Sequence, residues 1–250
     1  MNTVKALVLA AGEGSRLRPL TLSMPKPMLP IGGQPLLQHT LLWLRDSGIQ
    51  DVAINLHYRG DVVTSHFGDG SDFGIRVTYS PEETMLGTAG AVRKLDRFFG
   101  DTALIVYGDL LTNVSLERLL SFHFSKRRAV GGPVITLSLY EPLNPRECGL
   151  VELDDEARVL RMEEKPSGKE LTSTLAFSGV MVLDRDYIDM IPPDTFYDFG
   201  YQLLPMVIKD GLPVFGLPIE APEYVIDIGT PDRYRHACET WNGKNAQVRN

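Results

Sequence analysis

Arg16 and Lys26 stand in a stretch that opens with two glycines, GEGSRLRPLTLSMPKP, residues 12–27. Glycine tolerates positive φ and lets backbone N–H groups come close to a ligand. Successive N–H groups of that kind form an anion-binding concavity. Arg16 adds a planar guanidinium fork matched to phosphate oxygens. Lys26 lies between Pro25 and Pro27, whose fixed φ angles reduce the entropy lost in holding its ammonium in place. From Gly12 to Lys26 the chain carries Arg16, Arg18 and Lys26 against the single acid Glu13, although its formal net charge is −7. Positive charge is concentrated locally, and the stretch suits a polyphosphate. A dinucleotide fingerprint would need a third glycine where Leu17 stands, and the P-loop ending Gly-Lys-Ser/Thr is absent. An ordinary strand-to-helix turn is the competing reading, but the irregular stretch from Ala10 to Gln34 is far longer than such a turn needs.

Two aspartates complete the chemistry. Asp109 follows ALIVYG and Asp227 lies in YVIDIG, so each is expected at a strand end, where open α/β sheets bind ligands. Mg²⁺ is commonly held by one or two carboxylates together with phosphate oxygens and water. Either aspartate taken alone reads as a helix cap or turn residue sooner than as a metal ligand. The five histidines, His39, His57, His66, His123 and His236, form no cluster and read as surface or packing residues.

The elements that must position these groups alternate. VKALVLA, DVAINL and ALIVYGD read as buried strands of a parallel sheet. Leu37, Leu41 and Leu44 recur at helical spacing, with Gly48 where a C-terminal cap belongs. Val62, Val63 and His66 suggest a second helix, and Ala91, Val92, Leu95 and Phe98 a third, opening at GTAG. Strand, helix, strand, repeated, implies an α/β fold with right-handed crossovers. The second half differs: GLVELDDEARVLRMEEKP reads as a hairpin turning at Asp154-Asp155, and STLAFSGVMVLD as a further strand. Leu203, Leu204, Val207 and Ile208 mark a helix stopped by Gly211. YVIDIGTPDRYRHA reads as strand, turn and helix, with Thr230 as N-cap and Pro231 at the first helical position.

A chain of 250 residues with 43% hydrophobic content accommodates one large domain with its own core. Cys148 and Cys238 have neither CxxC nor Cys/His spacing, so no zinc site or disulfide framework is expected, and a reducing cytoplasm fits. No apolar run is long enough to span a membrane, and no signal segment precedes the first strand. The acidic balance argues against binding a nucleic-acid backbone.

LAAGEGSRLRPLTLSMPKPMLPIGG, residues 9–33, resembles the signature of the sugar-1-phosphate nucleotidylyltransferases, the NDP-sugar pyrophosphorylases. Gly12, Gly14, Arg16, Leu17, Pro19, Leu20, Pro25, Lys26 and Pro27 occupy the motif's positions, and Ser15 replaces the commoner threonine. The resemblance runs from Leu7 to about Ala237. It implies a Rossmann-like, mixed and mostly parallel sheet flanked by helices, with a small antiparallel sugar-binding portion. It further implies one domain over residues 1–240, with a nucleotide-binding half to about 112, a sugar-phosphate half after it, and a tail over 241–250. The left-handed β-helix of many relatives is not expected.

The same resemblance implies residue roles. Leu9, Ala10, Ala11, Gly12, Gly14, Ser15, Arg16, Glu82, Gly87 and Thr88 would bind the nucleotide. Gly149, Glu164, Lys165 and Gly179 would bind the sugar phosphate. Asp109 and Asp227 would hold Mg²⁺, and Arg16, Lys26 and Asp109 would be catalytic. The family's Asn-Ala-Gly is Phe177-Ser178-Gly179 here, which leaves the sugar open. SPEETMLGTAGAV, residues 80–92, matches the base-binding segment. A carboxylate at Glu82 only accepts hydrogen bonds, which suits the adjacent N1–H and N2–H of guanine better than the single N3–H of uracil or thymine. LGTAG also resembles the mannose-1-phosphate guanylyltransferases, and DIGTPDRY resembles both those enzymes and the heptose-1-phosphate guanylyltransferases. The expected reaction therefore joins GTP to mannose 1-phosphate or a manno-heptose 1-phosphate. The alternatives are a uridylyl- or thymidylyltransferase acting on glucose, N-acetylglucosamine or N-acetylmuramic acid 1-phosphate, and an inactive regulatory subunit. A homo-oligomer is compatible with this reading.

Overall fold

The computed structural model describes residues 4–167, 171 and 173–248. The chain folds as two interleaved α/β units. One, the glycine-loop unit, holds Val8–Met85, Tyr107–Asn113 and the segment from Val225 onward. The other and larger unit holds, among the described residues, those through Leu7 from residue 4 and those within Leu86–Val106 and Val114–Tyr224.

The three strands expected in the first half form at Lys5–Leu9, Asp51–Leu56 and Thr102–Tyr107. In the glycine-loop unit, Asp51–Leu56 runs parallel to Arg76–Pro81 in a register that places Asn55 opposite Ser80. The helix Leu36–Asp46 buries Leu36, Leu37, Leu41 and Leu44, the stripe its spacing predicts, and packs against the strand Leu110–Thr112. Gly48 follows at φ +86, the left-handed conformation that closes a helix. The second expected helix is Gly60–Phe67.

In the larger unit the strand Ala176–Asp184 is the hub. It runs antiparallel to Thr102–Tyr107, with Val180 opposite Val106 and Asp184 opposite Thr102. It is also antiparallel to Ile135–Tyr140, which in turn runs parallel to Val214–Pro218. The hairpin is present as Gly149–Leu153 and Val159–Glu164. Its turn extends to Arg158, because Asp154 Oδ1 accepts from the N–H groups of both Glu156 and Arg158. The third helix spans only Gly87–Lys94 and stops short of the expected Leu95 and Phe98. There the N–H groups of Leu95, Asp96 and Phe98 reach back three residues instead of four, and the helix unwinds. The helix Leu116–Val130 and the strands Ile135–Tyr140 and Val214–Pro218 add to the elements expected from the sequence.

His123 is fully buried between Thr136 Oγ1, 3.0 Å away, and Asp184. Asp184 also accepts from the Thr102 hydroxyl and the Val134 N–H, both at 2.9 Å. This network satisfies a buried carboxylate and makes His123 a packing residue, as expected.

Candidate active site

Gly14 sits at φ +63, and a Cβ built on it would lie 3.0 Å from both Lys26 Cβ and Thr21 Cγ2. Only glycine lets the loop fold back onto the lysine stem. The turn is closed by Leu17 N–H donating to the Gly14 carbonyl at 2.9 Å and by the Thr21 hydroxyl donating to the same oxygen at 2.8 Å. Leu17, which breaks the dinucleotide fingerprint, is buried and anchors the loop from below. Gly12 is different: a Cβ there would meet open space.

Lys26 forms a short turn with Pro27 and Met28 and is buried, and its Nζ donates to Asp109 Oδ2. Asp109 follows the strand Thr102–Tyr107 as expected. It is joined to Asp227 by the antiparallel pairing of Leu110–Thr112 with Val225–Asp227, in which Asp227 faces Leu110. The Ile228 N–H then donates to the Asp109 carbonyl at 3.0 Å. Asp227 Oδ1 accepts from the Gly229 N–H and Oδ2 from Arg233 Nη1. A Cβ on Gly229 would lie 3.2 Å from Arg16 Nη2, so the Arg16 guanidinium reaches the same turn. Arg16, Lys26, Asp109 and Asp227 therefore form one cluster in the glycine-loop unit, with Arg233 as a fifth member that the sequence reading missed. Three cations face two carboxylates, a balance that favours a further anion. Thr230 caps the last helix as expected, accepting from the Arg233 N–H at 3.3 Å, and this fixes Arg233 in the first turn beside Asp227.

Glu82 is 6% exposed. Its N–H donates to the Leu56 carbonyl at 2.7 Å and its own carbonyl lies 2.8 Å from His57 Nδ1. Asn55 Nδ2 donates to Glu82 Oε1 at 2.9 Å, and Asn55 Oδ1 accepts from the Ala10 N–H at 2.7 Å. Asn55 was legible only as a polar residue inside the apolar run VAINL. Its two bonds connect the start of the glycine loop to the acid expected to read the base.

The remaining site residues lie in the larger unit. Gly87 is at φ +75, and a Cβ there would be 2.5 Å from the Tyr197 carbonyl oxygen. The Thr88 hydroxyl donates to Asp198 Oδ2 at 2.8 Å and accepts from the Phe199 N–H at 2.9 Å. Gly149 pairs with Glu164 across the hairpin, and a Cβ on it would lie 2.6 Å from Glu164 Oε2; at Gly200 the distance would be 3.1 Å. Two glycines thus give the Glu164 carboxylate its room. Burial raises the Glu164 carboxyl above its ordinary value, Lys165 opposes that shift, and Asp198 adds to it. Lys165 itself is exposed. Gly179, at φ +88, sits where the register of the strand Ala176–Asp184 shifts between Phe177 and Met181. Asp198 and Gly200 were missed by the sequence reading, although YDFGY carries the cap-plus-glycine signal of a helix start.

Residues 5–242 match the family model for nucleotidyl transferases. Over 93% of its length the chain is 38% identical to the mannose-1-phosphate guanylyltransferase of Mycobacterium tuberculosis. Over another alignment of 93% it is 33% identical to the UTP–glucose-1-phosphate uridylyltransferase of Synechocystis. It spans 63% and 62% of those two proteins. The crystal structure of HddC from Yersinia pseudotuberculosis, complexed with GMP-PN, has the same fold: TM-score 0.78, 24% identity, covering 96% of this chain and 100% of that one.

Proposed function

The chain belongs to the nucleotidyl transferase family, and on that premise we propose that it joins a nucleoside triphosphate to a sugar 1-phosphate and releases pyrophosphate. One observation carries this reading. Arg16, Lys26, Asp109 and Asp227, far apart in sequence, converge beside a glycine turn that leaves Gly12 open.

A phosphate oxygen of the sugar 1-phosphate attacks the α-phosphorus. The new P–O bond forms as the bond to the bridging oxygen breaks, and that electron pair leaves with pyrophosphate. The attacking group is already largely dianionic at neutral pH, its second pKa being about 6. No side chain has to take a proton. The work left to the protein is alignment and charge neutralisation. Arg16 and Lys26 supply fixed positive charge, and the backbone N–H groups of the glycine turn orient the phosphates.

Asp109 and Asp227 fit a Mg²⁺ ion: they are hard oxygen donors on paired strand ends. Among the described residues no group of three His, Cys, Asp or Glu side chains could form a complete cage. A pair of carboxylates leaves the other positions to phosphate oxygens and water, as Mg²⁺ prefers. When bound, the ion supplies Lewis-acid charge that offsets repulsion between the two anionic reactants.

For the substrates we favour GTP with mannose 1-phosphate or a manno-heptose 1-phosphate. The buried acceptor Glu82 supports guanine, and so does the 38% identity to the mycobacterial guanylyltransferase. The Synechocystis relative supports the second reading, a uridylyltransferase. Incubation with GTP, Mg²⁺ and mannose 1-phosphate should release pyrophosphate. Silence across a full panel of nucleoside triphosphates and sugar 1-phosphates would overturn the enzymatic reading.

A further inference from the structure

We propose that Asn55 is a specificity-positioning residue: its amide, held by the Ala10 N–H and bonded to Glu82 Oε1, fixes the rotation of the side chain that residue 82 presents to the nucleotide base. The inference rests on the reading that Glu82 contacts the base.

The orientation of the Asn55 amide is not ambiguous. The Ala10 N–H, 2.7 Å away, is a donor and demands an oxygen. That assigns the other terminal atom as Nδ2, which points at Glu82 Oε1, 2.9 Å away. Asn55 is 3% exposed and Glu82 6%, so water offers little substitute for either bond. The Glu82 backbone is pinned at both its N–H and its carbonyl. Side-chain rotation is therefore the freedom that Asn55 restricts. Because Ala10 opens the glycine loop, the same amide ties base recognition to the segment that grips the phosphates.

The chemistry predicts a reversal. In Glu82→Gln, Asn55 Nδ2 draws the new amide oxygen inward, as it drew Oε1, and an N–H₂ donor is presented where an acceptor stood. Guanine's N1–H and N2–H then meet a donor, whereas the carbonyls of uracil meet a partner. With Asn55→Asp added, the carboxylate at position 55 still accepts from the Ala10 N–H but now also accepts from the introduced amide nitrogen. The introduced amide oxygen is turned outward instead, and an acceptor faces the base again. Residue 55 would thus set base preference without touching the base.

The test measures kcat/KM for GTP and UTP with a fixed sugar 1-phosphate in the parent, Glu82→Gln, and the double variant Asn55→Asp/Glu82→Gln. Glu82→Gln should lower the GTP-to-UTP ratio about tenfold or more, the scale of one mismatched buried hydrogen bond. The double variant should recover most of that loss. A lowered ratio in Glu82→Gln that the double variant fails to restore overturns the role of Asn55 and leaves the base reading standing. An unchanged ratio in Glu82→Gln overturns both. If circular dichroism shows the double variant unfolded, Asn55→Ala in the parent decides: a ratio moved toward unity is expected. Lost thermal stability with an unmoved ratio would make Asn55 merely structural.

Discussion

The Ile228 N–H donates to the Asp109 carbonyl at 3.0 Å, closing the strand pair that brings Asp227 beside Asp109. Each carboxylate is already engaged by a cation, Asp109 by Lys26 and Asp227 by Arg233. The two acids are thus charge-balanced by side chains of the protein, and the divalent ion proposed here would, with its phosphates, have to share or displace those partners.

Lys26→Met tests the balance. The lysine side chain is 10% exposed and that of Asp109 31%, so loss of the ammonium leaves a partly desolvated carboxylate with less compensation. Pyrophosphate release should fall by about 10²–10³-fold, the usual cost of one preorganised charge in a transition state. The melting temperature should also drop. Initial rates and calorimetry on one preparation check both.

Asp109→Asn should abolish turnover while the fold persists, since the amide keeps the shape and can still accept from Lys26. Binding of Mn²⁺ as a paramagnetic probe, read by electron paramagnetic resonance without substrates, should weaken as well. Undiminished Mn²⁺ affinity would remove Asp109 from the metal site.

The two loop glycines should separate on mutation to alanine. Gly14→Ala forces φ +63 on a residue with a Cβ and presses that Cβ on the Lys26 stem, costing about 1–2 kcal/mol of stability. Gly12→Ala meets open space and should change stability by less than about 0.5 kcal/mol. Its effect should register instead as a raised KM for the nucleoside triphosphate. Chemical denaturation and steady-state kinetics distinguish the two.

Glu164 makes a pH-dependent prediction. Its carboxyl is raised by burial, so the folded state holds this proton at a pH where the unfolded chain has released it. The stabilisation from that proton is complete below the unfolded carboxyl's ordinary value and is lost as pH rises through the raised one. Near neutral pH the buried charge is therefore a cost. Glu164→Gln should melt higher than the parent at pH 7, with the difference shrinking as pH falls into the ordinary carboxylate range, while turnover of the sugar phosphate drops. Melting curves across pH, set beside kinetics at pH 7, check the sign.

Local strings carry much of the chemistry. Gly12, Gly14, Arg16 and Lys26 are readable because glycine freedom, proline stiffness and cationic charge are properties of neighbouring residues. The strands leading to Asp109 and Asp227 are readable because apolar runs and turn residues announce themselves within a few positions. The helix Gly87–Lys94 is shorter than its pattern suggests, because the apolar repeat outlasts the hydrogen bonding that sustains a helix.

The sequence by itself determined an α/β chain and singled out a glycine-rich basic loop and two strand-end acids of the kind a hard cation takes, since backbone preferences and charge act over short spans. Only the tertiary structure decided that Asn55 lies between Ala10 and Glu82, that Arg233 holds Asp227, and that Gly149 and Gly200 make room for Glu164. Those relations depend on strand register and helix placement. They join residues whose separation along the chain carries no local signal, and burial, not pattern, gives them their strength.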